Sequence, residues 1–177
     1  MPDLEKYKLI IFDLDGTLAE NNADEFLPDV QQWFAENSGK FDFAMATNQG
    51  GVGLRHWMGK NGFGEPDKYP TEAAMQTRLY KLVEDYPIAF YVCYAYQSKK
   101  TGQWSPTPAD AEGSNFWKQE WRKPSPGMLL AAMLDMEYAP MHTLMVGDGD
   151  EDSAAAHAAG CDFMHAADFF GRNDIPF

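Results

Sequence analysis

The sequence predicts an α/β fold, with a doubly wound, Rossmann-like and mostly parallel sheet that carries helices on both faces. The first observation behind this prediction is that short apolar runs of strand length alternate with longer segments whose apolar residues recur at helical spacing. The second is that the chain has 177 residues, of which 45% are hydrophobic, enough to bury one core under such a sheet.

The first elements are a strand, a helix and a second strand. Residues 8–12 are short, apolar and β-branched, which is typical of a buried strand. Residues 28–37 place apolar side chains on one helical face, with Pro28 in the first turn and Gly39 after the end. Residues 41–47, FDFAMAT, predict the second strand.

The central elements are a helix over residues 71–86, which Thr71 can cap, and a strand over residues 88–96. Further along, PGMLLAAMLDM predicts a helix with proline at its first position and Ser125 as its N-cap. The remaining elements are expected to be a strand over 142–148, a helix over 151–160 and a strand over 161–166.

We predict that residues 1–177 form one domain with irregular insertions at about 59–71 and 97–122. Both stretches are rich in glycine and proline and show neither the strand nor the helix period. A structureless loop as long as the second insertion is usually functional in a compact domain.

Charge and cysteine content restrict the class of protein. The net charge of −13 disfavours extended nucleic acid as a partner, because such a surface repels a phosphate backbone. The two cysteines, Cys93 and Cys161, form no close pair, which favours a reducing compartment. The polar start MPDLEKYK is unlike a signal peptide and no apolar run approaches the ~20 residues of a membrane span, so we expect a soluble, cytoplasmic protein with no membrane partner.

Polar residues follow three of the predicted strands. Asp13 and Asp15 come after the first strand, Thr47 and Asn48 end the second, and Asp148 ends the fourth. Because the carboxyl ends of parallel strands meet at one edge of the sheet, we expect these side chains to converge on a ligand site.

The aspartates of this edge predict a Mg²⁺ site. Side chains two apart on a strand point the same way, so Asp13 and Asp15 would repel one another unless a cation lay between them. Mg²⁺ prefers oxygen ligands, and Asp148 would supply a third. The acidic run 150–152 could hold metal-bound water. The alternative is that these residues cap turns and helices, which fits one Asp-x-Asp better than three acidic clusters.

A phosphate-binding role is predicted for the stretch that follows the second strand. The sequence TNQGGVG, residues 47–53, offers a hydroxyl, amides and the exposed backbone N–H groups of a glycine-rich turn. Lys123 would add a cation that neutralises a phosphoryl group. Taken alone, Lys123 would be interpreted as an exposed, solvated lysine.

Four motifs together resemble those of the haloacid-dehalogenase-like phosphatases, in the right order. They are DLDGT, TNQGGVG, RKPSPGM and VGDGDED, and they span residues 13–152. The TNQ and RKPxPGM forms are similar to the branch that holds histidinol-phosphate phosphatases, heptose-bisphosphate phosphatases and polynucleotide 3′-phosphatases. The resemblance implies an aspartyl-phosphate mechanism with Mg²⁺ and, because no gap between motifs suits a full cap domain, a capless or minimally capped site.

The resemblance also implies a role for each matching residue. Asp13 would be the nucleophile and Asp15 the general acid and base, while Thr47 and Lys123 would bind the phosphoryl oxygens. The substrate would contact Asn48 and Arg122. The ligands of Mg²⁺ would be Asp13, the Asp15 backbone carbonyl, Asp148 and Asp152, with Asp150 as the alternative to Asp152.

The stretch between the second and third motifs departs from part of this branch. The heptose and histidinol members of the branch commonly carry a Cys/His zinc cluster there, whereas residues 97–122 contain no Cys or His, so structural zinc is not expected. The same residues mix lysines with aromatics, which either stack on a nucleotide or pack the loop onto the sheet, and we favour packing.

The leading hypothesis is a Mg²⁺-dependent phosphomonoesterase that acts on a small phosphorylated metabolite. A polynucleotide 3′-phosphatase is the alternative within the same branch, and the acidic net charge of −13 counts against it. A non-catalytic phosphate-binding protein on the same fold is a third possibility, which the presence of both Asp13 and Asp15 disfavours. The oligomeric state is left open.

Overall fold

The fold is described from a computed structural model, which covers residues 2–172 of the chain. The strands are β1 (Leu9–Phe12), β2 (Asp42–Asn48), β3 (Ile88–Cys93), β4 (Thr143–Gly147) and β5 (Asp162–His165). The α-helices are α1 (Pro28–Asn37), α2 (Gly50–Asn61), α3 (Glu72–Val83), α4 (Gly127–Met136), α5 (Asp150–Ala159) and α6 (Ala166–Phe170). Short 3₁₀ turns lie at Pro66–Lys68, Ala109–Ala111, Asn115–Trp117, Gln119–Trp121 and Pro140–His142.

The strands form one five-stranded sheet in the order β3-β2-β1-β4-β5, and every pairing is parallel. The predicted α/β, Rossmann-like class is therefore confirmed. From the central β1 the chain builds outward through β2 and β3, and then crosses to β4 and β5 on the other side. A reversal of this kind opens a crevice beyond the carboxyl ends of the strands on either side of it, here β1 and β4.

Helices cover both faces of the sheet, as the alternating pattern predicts. In β1, Ile10 and Phe12 belong to one buried cluster, whereas Leu9 and Ile11 belong to another. Side chains alternate across a strand, so the two clusters lie on opposite faces. The first cluster includes residues of α1, α3 and α6, and the second includes residues of α4 and α5.

The core on the α1 face is rich in aromatic rings. The Phe12 ring lies 5.9 Å from Trp33 of α1 and 5.5 Å from Phe169 of α6, measured between centroids, and both contacts are edge-to-face. Such pairs contribute about 0.5–1.5 kcal/mol each beyond the burial of their surface. These contacts hold β1 in position against α1 and α6, and therefore also position the residues that follow β1.

The presence of helix α2 shows that the prediction for residues 47–71 was partly wrong. The sequence predicts a glycine-rich turn at 47–53 and an irregular insertion at about 59–71, but residues 50–61 are helical and only the remainder is irregular, apart from one 3₁₀ turn. The prediction fails because Gly50, Gly51, Gly53 and Gly59 lower the helix propensity of the segment, while tertiary packing supports the helix.

Two further boundaries differ from the prediction. The strand predicted over 88–96 ends at Cys93, because the next N–H, that of Tyr94, donates to the carbonyl of Phe116 at 2.7 Å instead of continuing the ladder. The predicted cap of α4 is wrong as well, since Pro126 rather than Ser125 occupies the N-cap position. The predicted cap of α3 is confirmed, because Thr71 Oγ1 accepts from the N–H of Ala74 at 3.1 Å.

Among residues 2–172, no helix combines the length and the apolar character that crossing a bilayer requires.

The glycines of α2 give a matched pair of substitutions. A Cβ at Gly53 would lie 2.3 Å from the Tyr94 carbonyl oxygen, whereas a Cβ at Gly59 would meet nothing within 4 Å. We expect Gly53→Ala to destabilise the protein by about 1–3 kcal/mol, because the helix must move away from the end of β3. Gly59→Ala should instead stabilise it by about 0.5–1 kcal/mol. Urea unfolding checks both, and equal effects would contradict this packing of α2.

Candidate active site

Three carboxylates meet at the crevice beyond β1 and β4. Asp13 directly follows β1, Asp148 directly follows β4, and Asp152 lies in the first turn of α5. Each offers an oxygen atom, and these three atoms lie within 4.8 Å of one another. The structure therefore brings together three of the predicted site residues, in an arrangement that could hold a metal ion.

Lys123 lies between two members of this acidic cluster. Its Nζ lies 2.8 Å from Asp13 Oδ1 and 2.6 Å from Asp152 Oδ1, and its side chain is only 2% exposed. The interpretation of Lys123 as a solvated surface lysine is therefore wrong. The attraction of the two carboxylates outweighs burial and raises the pKa of Lys123, so the ammonium group stays charged between them.

Asn48 holds the backbone of Lys123 in place. Its Nδ2 donates to the Lys123 carbonyl at 2.9 Å, and its Oδ1 accepts from the Lys123 N–H at 3.0 Å. The sequence predicts that Asn48 contacts the substrate, but both polar ends of its amide are engaged by the backbone of Lys123. The structure thus places Asn48 as a positioning residue, which ties the end of β2 to the loop before α4.

Asp15 lies apart from the carboxylate cluster. Its Oδ1 is 2.7 Å from Arg78 Nη2, and its Oδ2 accepts from Gln49 Nε2 at 2.8 Å. β1 ends at Phe12 and the chain turns from Leu14 onward, so both aspartates lie beyond the regular strand. The expectation that Asp13 and Asp15 project side by side stays a prediction.

Gln49 links Asp15 to Thr47. The same Nε2 also donates to the Thr47 hydroxyl at 2.9 Å, and Thr47 is almost fully buried. The hydroxyl of Thr47 lies at the end of β2, where a role toward phosphoryl oxygens stays a prediction. Gln49 in turn directly precedes α2, so the glycine-rich motif supplies the amino end of a helix, which favours anions.

Arg122 lies beside the start of α2. Its Nη1 donates to the carbonyl of Ala95 at 3.0 Å, and a Cβ added at Gly50 would be 2.8 Å from the same nitrogen. Burial is the largest influence on this guanidinium and lowers its pKa. Arg122 thus packs against the end of β3, and its predicted contact with substrate stays a prediction.

Burial distinguishes Asp150 from Asp152. Asp150 is exposed, whereas Asp152 is 1% exposed and belongs to the carboxylate cluster. Asp152 Oδ1 pairs with Lys123, and its Oδ2 accepts from the N–H of Gly149 at 3.1 Å. Both oxygens are therefore partly satisfied by the protein, which favours an indirect role toward a metal.

The structure gives two reasons for the glycine of the DLDGT motif, Gly16. Its φ of +84° is a conformation that residues with a Cβ rarely adopt, and a Cβ there would lie 2.1 Å from Asp148 Oδ2. The turn after Asp15 thus needs a glycine both for its backbone and for the approach of Asp148.

Burial has a large effect on Asp13. Desolvation is the main cause that raises the pKa of Asp13 to about 7, and the positive charge of Lys123 acts in the opposite direction. The negative charge of Asp152 adds to the increase. Asp13 is therefore a carboxylate whose ionised form needs more positive charge than Lys123 alone provides.

Sequence reasoning missed Gln49 and Arg78 as individual site residues. Gln49 carried a usable signal, because it stands immediately after β2 at the edge where the other polar residues converge. Arg78 carried none, because it lies in the middle of α3, 63 residues from its partner Asp15. Only the packing of α3 against the site brings its side chain to Asp15.

Part of the chain matches a known protein family, and most of it aligns with curated phosphatases. Residues 120–167 match the family model described as HAD-hydrolase-like. Among curated proteins, the chain is 27% identical over 164 residues to D-glycero-β-D-manno-heptose-1,7-bisphosphate 7-phosphatase of Neisseria meningitidis, serogroups A and B, covering 86% of this chain and 73% of the relative.

Solved structures show the same fold. A D,D-heptose 1,7-bisphosphate phosphatase from B. bronchiseptica, complexed with magnesium and phosphate, gives a TM-score of 0.59 at 20% identity, covering 96% of this chain and 88% of that one. A HAD-superfamily hydrolase of subfamily IA from Geobacter sulfurreducens gives a TM-score of 0.51 at 15% identity, and the match covers 89% of this chain and 88% of that one.

Proposed function

We propose that this chain is a Mg²⁺-dependent phosphomonoesterase of the haloacid-dehalogenase-like type that acts on a small phosphorylated metabolite. One observation carries the proposal, namely that the buried Lys123 ammonium bridges Asp13 and Asp152 at the edge where Asp148 also lies. A nucleophilic carboxylate, a fixed cation and an acidic metal site are the parts that transfer of a phosphoryl group requires.

Asp13 is the proposed nucleophile. A carboxylate oxygen of Asp13 attacks phosphorus, the bond from phosphorus to the leaving oxygen breaks, and an aspartyl-phosphate forms. Lys123 Nζ, 2.8 Å from Asp13 Oδ1, lies where it can also neutralise charge on the phosphoryl oxygens. In the second step water attacks the same phosphorus, and inorganic phosphate leaves while the Asp13 carboxylate is restored.

Asp15 is the proposed general acid and base. It donates a proton to the leaving oxygen in the first step and takes one from the attacking water in the second. Arg78 and Gln49 fix its carboxylate from two directions, at 2.7 and 2.8 Å. Their side chains set the orientation of Asp15, so we assign both as positioning residues.

The donor set at the crevice fits Mg²⁺. The residues brought together are carboxylates, which are the hard oxygen ligands that this ion prefers. We assign Asp13 and Asp148 as direct ligands, together with the Asp15 carbonyl, and Asp152 as a residue that orients metal-bound water. When bound, Mg²⁺ supplies positive charge that lets an anionic carboxylate and an anionic phosphate approach.

A panel of phosphomonoesters, assayed for phosphate release with Mg²⁺ and with excess chelator, tests the proposal. The heptose-bisphosphate phosphatase relatives make sugar phosphates the first compounds to include. A 3′-phosphorylated oligonucleotide belongs in the panel as the test of the alternative. We expect chelator-sensitive turnover of small esters above that of the oligonucleotide, and no turnover of any compound would refute the assignment.

The loop after β3 does not favour the nucleic-acid alternative. Trp117 and Trp121 of this loop are 5% and 9% exposed, so their rings pack against the core instead of offering faces to bases. The burial of these two rings supports the packing interpretation for them, whereas Phe116 is 39% exposed.

The raised pKa of Asp13 predicts a pH dependence for Mg²⁺ binding. The ion must displace the proton from Asp13, whose pKa burial raises to about 7 in the metal-free protein. Affinity should therefore fall up to about tenfold per pH unit below about pH 7 and level off above about pH 8. Calorimetric titration with Mg²⁺ measures this slope. In Asp13→Asn the part due to Asp13 should vanish, and an unchanged slope would contradict the role of this carboxyl group.

A further inference from the structure

Arg172 contacts the turn that carries the proposed general acid, although no step of the proposed mechanism uses it. Its Nη2 donates to the Thr17 carbonyl at 2.8 Å, across 155 residues of sequence. Thr17 is the last residue of the DLDGT motif and lies two positions after Asp15. A guanidinium group that follows α6 is therefore attached to the backbone of the first motif.

Two further contacts fix the direction of this guanidinium group. The carboxylate of Asp29, in the first turn of α1, accepts from Arg172 Nε at 2.6 Å and from its Nη2 at 3.2 Å. The guanidinium carbon lies 4.6 Å from the ring centroid of Phe170 in α6. A paired contact with a carboxylate and stacking on an aromatic ring both hold a planar guanidinium in one orientation. The nitrogen that donates to Thr17 is therefore fixed from α1 and from α6.

The Thr17 carbonyl depends on this donor. Thr17 is fully buried, and within residues 2–172 no second donor contacts its carbonyl oxygen. A buried backbone carbonyl without a partner is unfavourable, so the chain around it shifts when its donor is removed. Loss of the Arg172 guanidinium should therefore loosen the turn at Thr17 in particular.

The same turn carries or contacts two of the proposed Mg²⁺ ligands. The N–H of Thr17 donates to the Leu14 carbonyl at 3.0 Å, so the Asp15 carbonyl lies inside the closed turn. Gly16 approaches Asp148 so closely that an added Cβ would lie 2.1 Å from Asp148 Oδ2. A shift of the turn would therefore displace the Asp15 carbonyl and disturb the carboxylate of Asp148 together.

We infer that Arg172 is a positioning residue for the Mg²⁺ site, which acts by holding the Thr17 carbonyl and thereby the DLDGT turn. This inference rests on the proposed function and adds a residue that is itself neither a metal ligand nor a catalytic residue. A purely structural Arg172 would instead only join α6 to α1 through Asp29, and the two roles differ in what they predict for Mg²⁺ binding.

Calorimetric titration of the full chain with Mg²⁺, near pH 8 and without substrate, tests the inference. Arg172→Met keeps an unbranched side chain beside Phe170 and removes every donor, so Mg²⁺ affinity should fall about three- to tenfold, the usual effect of one hydrogen bond. Asp29→Asn removes the charge of the ion pair but leaves the donor to Thr17, so affinity should stay within about twofold. In Arg172→Lys one ammonium nitrogen can replace Nη2, which contacts both Thr17 and Asp29, so most of the affinity should return.

Arg55→Met is the matched control. Arg55 Nη1 also donates to loop carbonyls, those of Pro66 and Tyr69 at 3.1 and 2.9 Å, but these contacts lie away from the DLDGT turn. Its loss should leave Mg²⁺ affinity unchanged. Wild-type affinity in Arg172→Met, or an equal loss in Asp29→Asn, would show that Arg172 has a structural role only. If the wild-type protein binds no Mg²⁺, the proposed function fails and the inference falls with it.

A second measurement needs no variant and decides the matter even if Arg172→Met does not fold. Coupling between two contacts is reciprocal, so Mg²⁺ should in turn strengthen the contacts of Arg172. In NMR spectra of the wild-type protein, exchange of the Arg172 Nε–H with solvent should slow about threefold or more when Mg²⁺ is added. The Nε–H of Arg55 is the reference and should not respond. Equal exchange of the Arg172 Nε–H with and without Mg²⁺ would overturn the inference.

Discussion

Replacing Asp13 with asparagine is expected to reduce turnover of every phosphomonoester by at least about a thousandfold. An amide oxygen is a far weaker nucleophile than a carboxylate, and Asp13→Asn also replaces a charged ligand of the proposed metal site with a neutral one. The substitution is nearly isosteric, so the contact with Lys123 Nζ, 2.8 Å from Asp13 Oδ1, can persist in weaker form.

Phosphate release under saturating Mg²⁺ measures this effect, and thermal unfolding establishes that the variant is folded. Asp110→Asn is a suitable control, because Asp110 is an exposed aspartate of the loop after β3 and should behave as the wild type. Trapping of phosphate on the protein, observed in the wild type and lost in Asp13→Asn, would identify the acceptor directly. Turnover of Asp13→Asn within about tenfold of the wild type would contradict its role as nucleophile.

Replacing Lys123 with methionine is expected to affect both stability and activity. Lys123 is buried between the carboxylates of Asp13 and Asp152, at 2.8 and 2.6 Å. Lys123→Met leaves two buried acidic groups without their cation, which costs about 3–5 kcal/mol of unfolding free energy. Turnover should fall by about a hundredfold or more, because the positive charge at the phosphoryl oxygens is lost.

Urea unfolding near pH 8 measures the loss of stability, with Lys118→Met as the control. Lys118 is an exposed lysine only five positions earlier, so its removal should change the free energy of unfolding by less than about 0.5 kcal/mol. The destabilisation of Lys123→Met should shrink as the pH falls, because protonation of the stranded carboxyl groups removes their repulsion. A stable and active Lys123→Met protein would show that the buried bridge has neither function.

Helix α1 was predictable because its apolar residues recur at helical spacing and its ends are clearly marked in the sequence. Residues 28–37 carry their apolar positions on one face and start at a proline, and the helix has these bounds. The helix α2 was not predictable, since four glycines oppose it and contacts distant in sequence hold it. Local pattern decides an element only where packing agrees with it.

The site was predictable where residues follow strand ends, because parallel strands bring those positions together whatever their sequence separation. Asp13 and Asp148 belong to this class. The contact of Asp15 with Arg78 was not predictable, since the direction of a helical side chain depends on how the helix packs. The role of Asn48 was likewise hidden, because an amide that binds a backbone has the same sequence signature as one that binds a substrate.

The two hydrogen bonds between Asn48 and the Lys123 backbone have a consequence for how such a protein can diversify. They fasten Lys123 to the sheet across 75 residues of sequence, so its position does not depend on the path of the intervening chain. The loop after β3 can therefore change in length or composition while Lys123 keeps its contact with Asp13. The loop is thus free to vary without moving Lys123 away from the two carboxylates that it bridges.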